Sequence, residues 1–347
     1  MKLNAKDNWP VLFIIIAVVF GLIKEFSITQ TTENTIKVPN AYDSNWISPS
    51  LFIDRTLEGK NRKLVIYGQE LIAHTSRYLG PRGSVAQISN GMNCQNCHLN
   101  AGKKTWGNNY GAVASTYPRF RDRSGSIESI YKRVSDCFER SLNGTAPDSL
   151  SKEYKAIEAY IKWVGKEVPK GVTPKQTGIY KLPFLDRAAD PQKGKLVYQN
   201  QCQRCHGQNG EGVIALNNTE YEYPPLWGEH SYNNGAGLYR LSRFAGFVYS
   251  NMPNNEASYD HPTLSVSESW DVAAFVNSQP RPKKDLQKDW PTISKKPIDH
   301  PFGPYADGFS EQQHKYGPYP SIIAKRRSEE HTLNSSHEWI SRMPSSA

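Results

Sequence analysis

Sulfur is scarce in this 347-residue chain, which has five cysteines and four methionines. So few cysteines cannot staple a chain of this length, which excludes a disulfide scaffold. Long runs of one charge sign are also absent. Lys plus Arg number 42 and Asp plus Glu 33, a formal +9 spread along the sequence. Diffuse positive charge suits small anions or an acidic partner surface. Without a nucleic-acid-binding motif it gives no role to nucleic acid. No apolar run approaches the ~20 residues that span a bilayer comfortably; Pro10–Ile23 has 14. Apolar residues at 37% and charged residues at 22% are enough for a packed core, and the length suits two domains.

The two ends stand apart. Lys2 and Lys6 precede the apolar stretch and Lys24 closes it, the pattern of an export signal or of an uncleaved membrane anchor over residues 1–24. A positive start stays in the cytoplasm. The rest of the chain is therefore expected on the periplasmic side of a bacterial inner membrane, anchored there or soluble after cleavage. Residues 25–55 read as a linker. Residues 327–347, RSEEHTLNSSHEWISRMPSSA, lack helical and strand periodicity and resemble a translated sequencing-library adapter. They are set aside from the fold expectation.

Four of the five cysteines fall in two C-x-x-C-H motifs, Cys94–His98 and Cys202–His206, 108 residues apart. In such a motif the thiols form thioethers to haem vinyl groups and the histidine becomes the proximal iron ligand. A zinc site would need further Cys or His pairs at suitable spacing, and none exists. Two covalently bound haem c groups are expected, held by Cys94, Cys97 and His98 and by Cys202, Cys205 and His206. Export agrees, because c-type haem is attached outside the cytoplasm. The expected fold is all-α: two tandem class I cytochrome c-like domains, each binding one covalent haem, over residues 56–180 and 181–282. Around the second motif, Asp190-Pro191 opens a helix, and a last helix runs over roughly Ser267–Asn277 until Pro280 and Pro282 stop it. Residues 283–326, rich in Pro, Gly and aromatics, read as an extension wrapping both domains.

Each iron has a second face. Met252 lies 46 residues after His206 in Ser250-Asn251-Met252-Pro253. A loop methionine there suits the distal position, and a His/Met pair raises the potential of an electron exit. His230 and His261 are rival ligands. No methionine serves the first haem, since Met92 is only two residues before Cys94. Ile127, Ile130, Val134, Cys137 and Phe138 recur at helical spacing, 39 residues after His98 in the case of Cys137. Cys137 is the distal ligand by elimination, with His74 as rival; a buried structural thiol is the plainer alternative. Arg133 and Ser141 stand four residues either side of Cys137, so the three share a helix face, and Arg123 lies just before that helix. Guanidinium, sulfur and hydroxyl together form an oxyanion pocket, although such arginines also hold haem propionates.

Tyr117-Pro118-Arg119-Phe120-Arg121-Asp122-Arg123-Ser124-Gly125, then Arg133-Val134-Ser135-Asp136-Cys137-Phe138-Glu139-Arg140-Ser141-Leu142-Asn143-Gly144, between two C-x-x-C-H motifs and ahead of Asn251-Met252-Pro253, resembles the dihaem cytochrome c thiosulfate dehydrogenases. The likeness covers roughly residues 60–320. It implies oxidation of two thiosulfates to tetrathionate, a reaction that some members run in reverse as tetrathionate reductases. It further implies an active-site haem held by His98 and Cys137, an electron-exit haem held by His206 and Met252, and substrate residues Arg123, Arg133, Ser141 and Asn251. Electrons would pass to a cytochrome c or terminal oxidase. Three other readings remain: a non-catalytic dihaem electron carrier, a sulfur-transferring enzyme with a cysteine-ligated haem, and a structural dihaem subunit of a terminal oxidase.

Overall fold

Two hydrophobic cores lie in sequence along the chain, each built where an early and a late helix cross. The computed structural model describes residues 45–52 and 54–329. The export segment and the greater part of the adapter-like tail lie outside them. Among the described residues no helix is long and apolar enough to cross a membrane. A helix over 320–329 takes in the first three residues of that tail.

In the first half, α1 (Gly59–Ala73) leads to the Cys94–His98 motif. Next come strands β1 (Arg119–Arg121) and β2 (Ser126–Glu128), α2 (Ile130–Arg140) and α3 (Lys152–Val164). The hydroxyls of Ser129 and Ser151 accept the backbone N–H groups of Lys132 and Tyr154, at 3.2 and 3.1 Å, and so start α2 and α3. The helix carrying Cys137 therefore begins at Ile130. Ile127, expected on its inner face, instead pairs with Phe120 across an antiparallel hairpin and is 73% exposed.

In the second half, α4 (Pro191–Val197), α5 (Leu241–Asn251) and α6 (Val266–Ser278) surround the second motif. Asp190 caps α4 ahead of a proline at its first position. Ser265 and Glu268 close a reciprocal capping box on α6. The helix expected over Ser267–Asn277 is one residue longer at each end. A short hairpin of β3 (Val213–Ile214) and β4 (Tyr221–Tyr223) follows the second motif.

Both crossings use one device. A Cβ on Gly68 of α1 would lie 2.0 Å from the Ala156 carbonyl oxygen of α3. A Cβ on Gly194 of α4 would lie 1.9 Å from the Asp271 carbonyl oxygen of α6. Only glycine lets the backbones meet so closely. This is the crossed first-and-last-helix arrangement expected of class I cytochromes, in both halves.

The halves share contacts. The Glu220 carboxylate, from the second, accepts from Asn93 Nδ2 at 3.1 Å and Arg77 Nη2 at 3.1 Å and lies 3.0 Å from His74 Nδ1. Residues beyond 282 touch both halves: Tyr319 and Ile322 enter the second core, while Asp289 binds Arg140 of α2.

Candidate haem centres and substrate site

The second motif sits on two joined turns, a five-residue π turn over Tyr198–Cys202 and a helical turn over Gln203–His206. His206 Nδ1 lies 2.8 Å from the Pro224 carbonyl oxygen. A carbonyl can only accept, so Nδ1 carries the proton and Nε2 keeps its lone pair for a metal. Burial lowers the imidazole pKa, which favours that neutral form. Cys202, Cys205, His206 and Met252 line one cavity of about 700 Å³. Its apolar walls include Leu238, Phe244, Val248, Leu264, Val272 and Val276. A cavity of that size with paired thiols, a free imidazole nitrogen and a thioether fits a haem. The rivals of Met252 are elsewhere: His230 and His261 are exposed and do not line the cavity. Cys97 and Met92 of the first half line this same cavity, so the first motif borders the second haem's space.

The first motif opens in a 3-10 turn, Cys94–Asn96, which Asn93 and Asn96 cap reciprocally. Thr75 Oγ1 accepts from the Cys94 N–H at 2.9 Å. His98 Nδ1 lies 2.5 Å from the Asn108 carbonyl oxygen, so this ring too presents Nε2. The Tyr110 ring packs on it at 4.6 Å between centroids. Burial lowers the His98 pKa to about 4. The chain turns back to Tyr110 through three left-handed residues, Asn100, Ala101 and Gly102. The donor set matches that of the second motif and fits a second haem.

Cys137 belongs to this neighbourhood. Burial pushes the Cys94 and Cys97 thiols up to about 12, and the nearby Cys137 sulfur adds to both effects. It acts in the same sense on Tyr110. The Cys137 sulfur is also the main reason that the Arg133 guanidinium is held above its ordinary pKa. The Ser141 N–H donates to the Cys137 carbonyl at 2.8 Å, which keeps Arg133, Cys137 and Ser141 on one helical stripe. Arg123 Nη1 donates to the Gly235 carbonyl at 2.9 Å. Burial, with Arg140 nearby, lowers the Arg123 pKa to about 10, leaving it charged at neutral pH. Asn251 is fully buried. Its Nδ2 donates to the carbonyls of Trp106 at 3.2 Å and Phe247 at 3.0 Å, and its Oδ1 has no hydrogen-bond partner. His74, the rival ligand for the first iron, is held by Glu220.

Four features went unread in the sequence. Asn108 and Pro224 orient the two histidines through backbone carbonyls, which leave no mark in residue type. Arg121 feels the charge of Arg133, and Arg243 feels that of both Arg121 and Arg133, so the basic cluster is larger than the Cys137 helix face. For Arg121 the signal was present, in the run Arg119-Phe120-Arg121-Asp122-Arg123. For Arg243, more than 100 residues away, none existed.

The fold and the two donor sets define a two-domain c-type cytochrome with two covalently bound haem c groups. Comparison with known proteins agrees. Residues 84–169 match the family model "SoxA/TsdA, cytochrome c domain" and residues 191–280 match "Cytochrome c". A thiosulfate dehydrogenase of Stutzerimonas stutzeri is 34% identical over 221 residues, 64% of this chain and 68% of that protein. One of Allochromatium vinosum is 36% identical over 222 residues, 61% of this chain and 79% of that protein. One of Psychrobacter arcticus is 36% identical over 207 residues, 59% of this chain and 61% of that protein. The solved thiosulfate dehydrogenase TsdBA from Marichromatium purpuratum aligns with a TM-score of 0.62 at 30% identity, covering 73% of this chain and 51% of that one. The chain belongs to the thiosulfate dehydrogenase family. It spans about three fifths of the Psychrobacter relative and half of the solved chain.

Proposed function

We propose that this chain joins two thiosulfate dianions into tetrathionate at the first haem centre and releases the two electrons through the second. One observation carries the reading: the Cys137 sulfur lies close enough to the first motif and to Arg133 for its charge to bear on Cys94, Cys97 and the Arg133 guanidinium alike. Two S2O3 2− ions become one S4O6 2− and two electrons, so one sulfur–sulfur bond forms and no proton moves. Bound haem supplies one-electron redox capacity at each centre. The protein's task is to bring two dianions together against their repulsion. Arg133 and Arg123 hold the sulfonate ends by charge-assisted hydrogen bonds, and Ser141 offers a hydroxyl on the same helix face. Arg121 and Arg243 extend the positive field that draws the anions in. His98 and Cys137 are the proposed ligands of the first iron, His206 and Met252 those of the second.

The domains proposed are 56–180 and 181–282, with 283–326 joining them. Export to the periplasm, soluble or held at the inner membrane, belongs to this reading and rests on the N-terminal segment. The electron acceptor proposed is a cytochrome c or a terminal oxidase, reached from the second centre. The test is a stoichiometric assay on purified haem-loaded protein with thiosulfate and oxidised cytochrome c. The expected result is one tetrathionate for every two thiosulfates consumed and two cytochromes reduced. Haems that ignore thiosulfate would leave an electron carrier as the better reading.

A further inference from the structure

The extension beyond residue 282 reaches back to the substrate arginines, more than 140 residues away in sequence. The Lys284 N–H donates to Asn234 Oδ1 at 2.7 Å, and Lys284 Nζ pairs with Glu139 at 3.2 Å. Five residues on, the Asp289 carboxylate takes both terminal nitrogens of Arg140, at 2.8 and 2.9 Å, and lies 3.7 Å from Arg123 Nε. The Trp290 N–H donates to the Arg123 carbonyl oxygen at 2.7 Å. The Arg123 guanidinium carbon lies 5.6 Å from the centre of the Trp290 ring. Pro291 fills the space over Gly125, where an added Cβ would meet it at 2.6 Å.

Trp290 is itself tightly held. It is 9% exposed, and its Nε1–H donates to His300 Nε2 at 3.3 Å. Its φ is +62°. A bulky residue in the left-handed region is strained and persists only where its surroundings over-determine it. The surroundings here are Arg123 and His300, with the next residue, Pro291, seated over Gly125.

We propose that Asp289 and Trp290 are positioning residues for Arg123, and so for thiosulfate binding, which makes the extension part of the substrate site rather than a wrapping alone. The inference rests on the function proposed above. Arg123 has five N–H donors in a plane. Gly235 takes one, Asp289 stands by another edge and Trp290 packs against the group. Those three contacts fix its orientation and leave the remaining donors for an anion. Arg140 and Arg133 both repel Arg123, and Asp289 is the carboxylate that bridges Arg140 and Arg123. Removing it leaves the cluster more positive but free to splay, so the structure predicts weaker binding despite the added positive charge.

The experiment is steady-state kinetics of haem-loaded Trp290→Ala, Trp290→Phe and Asp289→Asn, each also in an Arg123→Ala background. Trp290→Ala is expected to raise KM for thiosulfate about fivefold to tenfold, the size of one lost cation–aromatic contact, with kcat within about twofold. Trp290→Phe, which keeps an aromatic face, is expected to stay near wild type. Asp289→Asn is expected to raise KM in the same way and serves if the alanine variant does not fold. In the Arg123→Ala background each change should add little, because the residue it positions is gone. Thiosulfate affinity by calorimetry, in a Cys137→Gly background without turnover, should weaken in parallel. Unchanged KM in Trp290→Ala or Asp289→Asn overturns the inference, as does full additivity with Arg123→Ala. A wild-type protein that makes no tetrathionate instead defeats the functional reading beneath it.

Discussion

Asn251 Nδ2 donates a hydrogen bond of 3.2 Å to the carbonyl of Trp106. The bond joins the residue before Met252 to the loop that carries Asn108, whose carbonyl holds His98. It therefore ties the segment of the distal ligand proposed for one centre to the loop that orients the histidine of the other. Replacing Asn251 with Leu strands the Trp106 carbonyl, which accepts from the amide, at about 1–3 kcal/mol for a buried unsatisfied group, while the Phe247 carbonyl keeps its helical position. The expected outcome is a melting temperature lower by several degrees with both haems still attached, read by calorimetry. If Asn251 also touches substrate, as the family resemblance implies, thiosulfate turnover falls as well.

The helix crossings make a sharper stability claim. Gly194→Ala would force a Cβ to within 1.9 Å of the Asp271 carbonyl, so α4 and α6 must separate. Overpacking of this kind destabilises by about 1–3 kcal/mol or more. A reduced melting temperature is expected, with both thioether-bound haems retained. Calorimetry, with pyridine haemochrome content confirming equal haem loading of variant and wild type, checks it.

Met252 shares the second cavity with His206. If Met252 is the ligand proposed above, exchanging it for alanine lowers the reduction potential of one haem and leaves the other unchanged, because a thioether ligand would favour the reduced iron. Spectroelectrochemical titration reads both potentials in one sample. Turnover with a high-potential acceptor should slow, while thiosulfate KM stays near wild type.

Acid should loosen the extension through His300. Burial lowers this imidazole to about 3, the charges of Lys296, Arg123 and Arg240 act in the same direction, and Asp299 opposes them. The unfolded chain titrates near 6.5. Between those values the unfolded state binds a proton that the folded state refuses, so stability falls as pH drops below about 6.5. At about pH 5 the loss attributable to this group is on the order of 1–2 kcal/mol. His300→Gln, neutral at every pH, should show a shallower fall of melting temperature between about pH 7 and pH 5 than wild type.

What the sequence disclosed was what local chemistry imposes. The two C-x-x-C-H motifs, the Cys137 stripe and the α6 boundaries are properties of a few adjacent residues. The lone usable methionine was legible through scarcity, since nothing else of its kind was available. The hairpin Arg119–Glu128 was missed because Ile127 also fits the helical spacing of α2; cross-strand pairing with Phe120 decided the matter. Asp289 and Trp290 were read only as part of a wrapping segment. Their partners Arg140 and Arg123 lie 149 and 167 positions earlier, and no periodicity spans such a distance. The Glu220 clasp on Asn93 and His74 was hidden for the same reason.

The central claim is that Cys137, beside the first haem, is where thiosulfate gives up its electrons. The most direct measurement follows haem reduction by thiosulfate in the visible spectrum, with tetrathionate assayed in the same sample, for wild type and Cys137→Gly with both haems confirmed attached. Wild type is expected to reduce its haems and form tetrathionate. The variant is expected to do neither at a measurable rate, while a chemical reductant still reduces it. Wild-type turnover in Cys137→Gly would contradict the account.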